Sequence, residues 1–240
     1  MTTPVTSPEA RARRELHPPW KAQLVEVLVF LFLIVPSMIL SLFVVTQVSV
    51  SFVLVAFSTI FRDLALVSLI LFFLWRNGEP IRSIGWTTEH LWKDAGLGVI
   101  LFVPVFLVAG LVESLLRAIG LSAPSAPLPS FLTARGYWEF VLAFVLVVVV
   151  AVAEETIFRG YLILRFDGVT RSTTAAILLS AVVFSLGHGY EGSAGLVTVG
   201  FIGAIFAVIY VWRKSLVAPV VMHFTLDFIS IILLPLVGLR

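Results

Sequence analysis

The feature that most limits how this chain can fold is a series of long apolar runs separated by short polar segments. The first, Leu24 to Val45, is about 22 residues long, and a helix needs roughly 20 to cross a bilayer. Further runs follow at about 58–75, 95–116, 138–166, 173–190, 195–212 and 215–237. In lipid every backbone N–H and C=O must be satisfied internally, so only helices and closed barrels span. Barrel strands are much shorter than these runs. The sequence therefore predicts an all-α, polytopic membrane helical bundle of about seven transmembrane helices, or eight if the Val48–Ile60 lead-in to the second run spans separately. Composition agrees. The chain is 60% hydrophobic and only 12% charged, about half the charge of an ordinary globular domain. That is too little polar surface for a soluble domain, and too much Phe, Leu and Val for a disordered chain. There is no cysteine, which excludes disulfides, thiolate nucleophiles and Cys-based metal sites. No basic patch with interleaved aromatics is present, so the expected partner is the lipid bilayer and not a nucleic acid.

Residues 1–23 read as a cytoplasmic N-terminal tail. The run that follows is longer than a signal-peptide core and has no small-residue cleavage site after it, so it reads as an anchor. Residues 24–136 supply N-terminal transmembrane helices and loops, with a polar, Trp-bearing segment at 76–94 expected at the membrane interface and a Pro- and Ser-rich loop at 117–136. Residues 137–240 form the remaining membrane core. With the N-terminus inside, the inner segments hold Arg11, Arg13, Arg14, Lys21, Arg76, Arg82, Lys93, Arg159, Arg165, Arg171, Arg213 and Lys214. The outer segments hold Arg117, Arg135 and Arg240, and Arg62 lies within a span. This bias follows the positive-inside rule and predicts a cytoplasmic N-terminus.

An ionisable side chain in lipid is costly and usually faces a partner or a cavity. Glu26, Glu113 and Glu139 lie near span ends and are expected to reach the interface. Arg62 and Asp63 are adjacent and are expected to neutralise one another or to mark a span boundary. The C-terminal half is different. Its spans hold Glu154-Glu155-x-x-x-Arg159, then Phe184-x-x-x-His188, then His223-x-x-x-Asp227. On an α-helix Glu155 and Arg159 are i,i+4 neighbours in the favourable order. Glu154 points about 100° away from Glu155, so one carboxylate can be neutralised while the other stays available. A carboxylate beside an imidazole fixes its tautomer, which predicts that Asp227 orients His223. Pro219 is expected to kink the last helix near His223. At about 1.5 Å per residue, Glu154 lies roughly 18 Å from Phe166, His188 roughly 23 Å from Thr173, and His223 and Asp227 roughly 12 and 18 Å from Ser215. In a hydrocarbon core about 30 Å thick, four polar groups from three helices thus fall in one layer.

Two chemistries fit such a layer. In hydrolysis, Glu154 takes a proton from water, His188 orients that water, and His223 donates to the oxyanion. In metal binding, Glu154, His188 and His223 offer three ligands to Zn2+ with water as the fourth. No HExxH is present, so this is not a zincin helix.

These three motifs, in this order on successive membrane helices, resemble the CAAX prenyl protease and bacteriocin-processing family: type II CAAX endopeptidases (Ras-converting enzymes) and bacterial Abi-type proteins. The resemblance covers about residues 137–237. It implies a catalytic membrane core and an intramembrane endopeptidase, glutamate-type or metallo-type, acting on a membrane-associated or prenylated peptide, in a bacterial cell membrane. It implies that Glu154 activates water with His188 while His223 and residue 227 stabilise the oxyanion, and that Glu155, Arg159 and Phe184 support the site. Where the family often has Asn, this chain has Asp227, and an ionised Asp there would repel a developing oxyanion. Asp227 is therefore protonated, orients His223, or ligates a metal. Two other classes fit the same residues. Intramembrane Glu, His and Arg also build proton relays in ion-coupled transporters, although no inverted repeat is visible. A non-catalytic scaffold or bacteriocin self-immunity protein would keep the motif residues for structure alone.

Overall fold

The computed structural model describes residues 18–44, 51–122 and 130–238. Most of the tail expected at 1–23, and the middle of the loop expected at 117–136, lie outside these residues. Seven long helices follow one another: α1 Trp20–Val44, α2 Phe52–Asn77, α3 Leu91–Ala118, α4 Tyr137–Thr170, α5 Thr173–Leu186, α6 Gly192–Arg213 and α7 Val217–Leu236. No strand occurs among the described residues. Six of the helices are long and apolar enough to cross a membrane. The exception is α5. Its 14 residues rise only about 21 Å, short of the hydrocarbon thickness. The fifth run therefore ends four residues before its expected limit, and His188 sits beyond the helix, against the short 3₁₀ turn Gly189–Glu191. The lead-in to the second run is not a separate span, since α2 is one helix from Phe52.

The bundle is built around α4, which packs on α2, α7 and, at its far end, α1 and α5. α3 lies outside, against α6 and α7, and of its side only Asp94, Gly98 and Ala109 are buried. Large apolar residues such as Phe32, Phe61, Ile100 and Leu107 face outward. That is a liability in water but the expected state in lipid. Exposed Trp75, Trp92 and Trp138 sit at helix ends, where indoles favour the headgroup level. The chain is a multi-pass integral membrane protein.

Two stretches depart from α-geometry. Glu155–Leu162 in α4 and Phe228–Leu233 in α7 are π-helical. Their hydrogen bonds reach one residue further than in an α-helix, a geometry that is rare and frequent at functional sites. All eight residues of the first are buried, and neighbouring side chains bond two of its polar groups. Ser180 Oγ of α5 donates to the Phe158 carbonyl (2.6 Å), and Trp86 Nε1 donates to Thr156 Oγ1 (3.0 Å). In the segment around Trp86, which was expected at the interface, the 3₁₀ turn Ile81–Ile84 is tucked against the π stretch, with Ile84 fully buried. Gly160 permits this approach, because a Cβ there would lie 2.7 Å from the Ile84 carbonyl oxygen. Backbone cannot give way as a flexible side chain can. Gly160→Ala should therefore cost about 1–3 kcal/mol, read as a lower thermal midpoint in detergent. An unchanged midpoint would mean that the turn is free to lift off.

Pro219 does not kink α7. The helix begins at Val217, so Pro219 falls in the first turn, where the missing N–H has no helical acceptor to lose. Glu26 does not reach the interface either. It is 2% exposed and accepts hydrogen bonds from Arg76 Nη2 (2.7 Å), Asn77 Nδ2 (2.8 Å), Tyr161 Oη (3.0 Å) and Arg165 Nε (2.8 Å). Arg165, fully buried, also donates from Nη1 to Glu79 (2.9 Å). This network ties α1, α2 and α4 together, well away from the motif residues. Glu113 pairs with Arg117, and Glu139 accepts from the Arg135 backbone N–H.

Candidate active site

The acidic pair sits where α-geometry gives way to the π stretch, Glu154 just before the junction and Glu155 just after it. Glu155 is completely buried. Its Oε1 lies 2.9 Å from Arg159 Nη1 and 2.8 Å from His223 Nδ1, so it joins α4 to α7 through one carboxylate oxygen. The Arg159 guanidinium is caged. It lies 4.1 Å from the Phe184 ring centroid and 5.4 Å from that of Phe206, a cation–π arrangement that offsets part of its desolvation. Gly203 of α6 allows the cage to close, because a Cβ there would meet Phe184 at 3.0 Å and Arg159 Nη2 at 3.4 Å. Phe184 thus supports the site by holding the cation that holds Glu155.

Glu154 points elsewhere. It lines a cavity of about 180 Å³ together with His188, His223 and Asp227. Its Oε2 is buried without a hydrogen-bond partner and lies 3.8 Å from His223 Nε2. Asp227 Oδ2 lies 3.5 Å from the same nitrogen. His223 is 5% exposed. With Nδ1 donating to Glu155, its Nε2 is the edge that faces the cavity carboxylates. Glu155, not Asp227, is therefore the carboxylate that orients His223: 2.8 Å is a hydrogen bond and 3.5 Å is not a good one. His188 Nδ1 lies 3.2 Å from the Phe184 carbonyl, so its ring is held from the end of α5, with Nε2 available. A second cavity of about 300 Å³ is lined by His188, His223 and Asp227 as well, and extends toward Glu113, Glu191 and Ser230. The motif residues thus stand in the wall between two hollows.

The structure brings Glu154, His188, His223 and Asp227 to one cavity, with Phe184 also in its wall, and sets Glu155 and Arg159 behind them. It also brings a residue that sequence reasoning discounted. Arg62 of α2 lines the same cavity, with Nη2 4.0 Å from Glu154 Oε1. The available signal was an arginine in the middle of a span; the adjacent Asp63 made it look self-neutralised. The pair does form, with Arg62 Nε 3.0 Å from Asp63 Oδ1, but it leaves the guanidinium facing the hollow. The trio Glu154, His188 and His223 does not fit a zinc ion: among the described residues no group of three or more His, Asp or Glu side chains is arranged to hold a metal.

What the site can do chemically follows from its edges. In the cavity wall the buried Glu154 Oε2 has no hydrogen-bond partner, and one imidazole nitrogen faces it. A second imidazole is held by a backbone carbonyl, and an arginine stands alongside. These are the parts of a water-activating acid–base centre. No curated protein and no solved structure matches the chain significantly. It is over residues 136–229, the segment that supplies every one of the motif residues, that the chain matches the family model described as type II CAAX prenyl endopeptidase Rce1-like, the family its motifs resemble.

Proposed function

We propose that the protein is an intramembrane endopeptidase of glutamate type, hydrolysing a peptide bond of a membrane-associated or lipidated peptide. The observation that carries this reading is that Glu154, His188, His223 and Asp227, drawn from three segments of the chain, line one cavity. Side chains kept for packing alone would have no reason to share a hollow.

The chemistry divides among these residues. Glu154 Oε2 takes a proton from water, and the oxygen attacks the carbonyl carbon while His188 holds the water by its second hydrogen. Negative charge grows on the carbonyl oxygen. There His223, with Nδ1 anchored on Glu155, donates from a protonated Nε2. The proton on Glu154 then passes to the departing amine as the C–N bond breaks. Glu155 and Arg159 do not touch substrate; they fix the ring that does. Asp227 is a neighbour of the oxyanion position that serves in its protonated form or not at all. The catalytic core is the segment 137–240, and the charge bias of the loops supports a cytoplasmic N-terminus.

The test is cleavage of membrane-associated peptides by purified protein in detergent, comparing wild type with Glu154→Gln and each with and without a chelator. The reading expects cleavage that chelation leaves unchanged and that Glu154→Gln abolishes. Asp227→Asn should retain activity within a few-fold of wild type, because Glu155 and not Asp227 orients His223. Near-complete inactivation of a folded Asp227→Asn protein, measured in the same assay, would refute that assignment.

A further inference from the structure

Both hollows lie toward one face of the bundle, and that face can be assigned a compartment. Successive helices joined by short connections run in opposite directions, so the ends of α1, α3, α5 and α7 share a face with the starts of α2, α4 and α6. Hydrogen bonds between connections fix the two faces. Ser122, after α3, and Ser193, at the start of α6, each donate a backbone N–H to the other's Oγ (2.9 and 3.1 Å). On the opposite face the Leu216 N–H, before α7, donates to the Gly85 carbonyl between α2 and α3 (3.0 Å). The hollows take their walls from the Ser122 side. Met38 comes from the last turns of α1, Val55 and Thr59 from the first turns of α2, Glu113 from the end of α3, Thr198 from the start of α6 and Ile231 from the end of α7.

The other side is closed. No residue of the connections 78–90, 171–172 or 214–216 lines either hollow. Between those connections and the motif residues lies the buried π stretch Glu155–Leu162, with Ile84 tucked against it and the network of Glu26, Glu79 and Arg165 beside it. The Ser122 side is open. Arg62, in the wall of the smaller hollow, has a side chain that is 51% exposed. α5 rises only about 21 Å, so the turn Gly189–Glu191 that follows it starts below the headgroups. Irregular backbone at membrane depth is tolerated where it is buried in protein or lines a water-filled cavity. Tyr190 and Glu191 of this turn line the hollows, and no residue of the turn is buried.

Charge tells the faces apart. Among the described residues the closed face carries Lys21, Arg76, Arg82, Lys93, Arg171, Arg213 and Lys214, and the open face, outside the cavity walls, carries Arg117 and Arg135. Lys and Arg accumulate on the cytoplasmic side of a membrane protein, which makes the closed face cytoplasmic. We infer that the candidate active site is entered by water and substrate from the extracytoplasmic face, so that its substrates are peptides already carried across the membrane. The class of reaction that must supply them is polypeptide translocation. That the substrates are peptides rests on the peptidase reading of the same cavity; the side of entry stands on geometry and charge alone.

The chain has no cysteine, so a single introduced thiol reports its own position. Full-length Thr59→Cys and Val55→Cys each place one in the cavity wall. Arg135→Cys places one on the exposed surface of the open face, and Glu89→Cys one on the exposed surface of the closed face. Intact bacterial cells making each protein are treated with a small, charged, membrane-impermeant methanethiosulfonate. Thiols left free are then tagged in detergent with a maleimide that shifts the protein on a gel. Thr59→Cys and Arg135→Cys should lose the tag after treatment of intact cells, and Glu89→Cys should keep it until the cells are permeabilised. Val55→Cys gives the same reading at a second wall position if Thr59→Cys fails to accumulate. Wall thiols that are blocked only on permeabilisation, with Glu89→Cys blocked in intact cells or alongside them, overturn the proposal. Wall thiols that stay free under both conditions overturn it too, since the cavity then has no aqueous entry. Cleavage is scored separately, with one membrane-anchored reporter peptide displayed on either face. The reporter should be cut when it stands outside and spared when it stands in the cytoplasm, and cutting of the cytoplasmic form overturns the proposal. Labelling as expected with neither reporter cut would support the side of entry while removing the peptidase reading.

Discussion

Glu154→Gln should lower kcat by about 10²–10⁴-fold, the usual worth of a positioned general base, while leaving the fold intact. Gln has the same size and shape as Glu, so the cavity wall is unchanged, but its amide cannot take a proton from water. Little stability should be lost. Glu154 Oε2 has no hydrogen-bond partner to forfeit, and its neighbours His223 Nε2 (3.8 Å) and Arg62 Nη2 (4.0 Å) are held by Glu155 and Asp63 instead. The result to expect is a thermal midpoint in detergent within experimental scatter of wild type, beside cleavage near background. Glu155→Gln is the necessary contrast. Its carboxylate is buried and serves both Arg159 and His223, so the neighbouring substitution should lower stability as well as activity. If Glu154→Gln cleaves at more than about a tenth of the wild-type rate, the carboxylate is not the base. If both substitutions prove equally destabilising, the pair is a lock between helices and the scaffold reading regains its ground.

That contrast between adjacent glutamates was legible in the sequence, because it depends only on helical geometry. Residues one apart diverge and residues four apart meet, and Glu155 does find Arg159 even though the local helix is π rather than α. Helix number and order were legible for the same reason, since apolar run length is a local property. What escaped was set by contacts between distant parts of the chain. Asp227, four residues from His223, was the natural candidate to orient it. The carboxylate that does so comes from another helix, 68 positions away. Glu26 was placed at the interface by its position near a helix end, yet its partners include Tyr161 and Arg165, more than 130 positions on. Pro219 carried a kink expectation that vanished once the helix was found to start two residues before it. The π stretches left no mark in residue pattern. They depend on neighbours such as Ser180 and Trp86 that satisfy the altered backbone and side chains.

The Glu26 network is where the largest loss of stability should lie. Arg165→Met replaces a fully buried guanidinium by an apolar chain of similar reach and leaves Glu79 and part of Glu26 without their principal cation. Removing one member of a buried ion pair typically costs about 3–5 kcal/mol, chiefly because the remaining charge stays desolvated and unpaired. Arg76 and Tyr161 still donate to Glu26, so the carboxylate that loses its guanidinium most completely is Glu79, which keeps Asn77 as a donor. This gives the prediction its internal control. Glu79→Gln combined with Arg165→Met should recover part of the loss, because it removes the buried negative charge that Arg165 had balanced, and a double-mutant cycle reads that coupling directly. Denaturation in detergent, followed by helicity, is the measurement. The surviving folded fraction of Arg165→Met should cleave at the wild-type rate per folded molecule, since neither Arg165 nor its partners line either cavity. Glu154→Gln and Arg165→Met are thus expected to separate chemistry from architecture along one helix: the first loses activity and keeps its midpoint, the second loses its midpoint and keeps activity. A stable Arg165→Met protein would mean that the network is dispensable to the fold. An inactive but folded one would mean that the ends of α4 are coupled through its π stretch to the cavity.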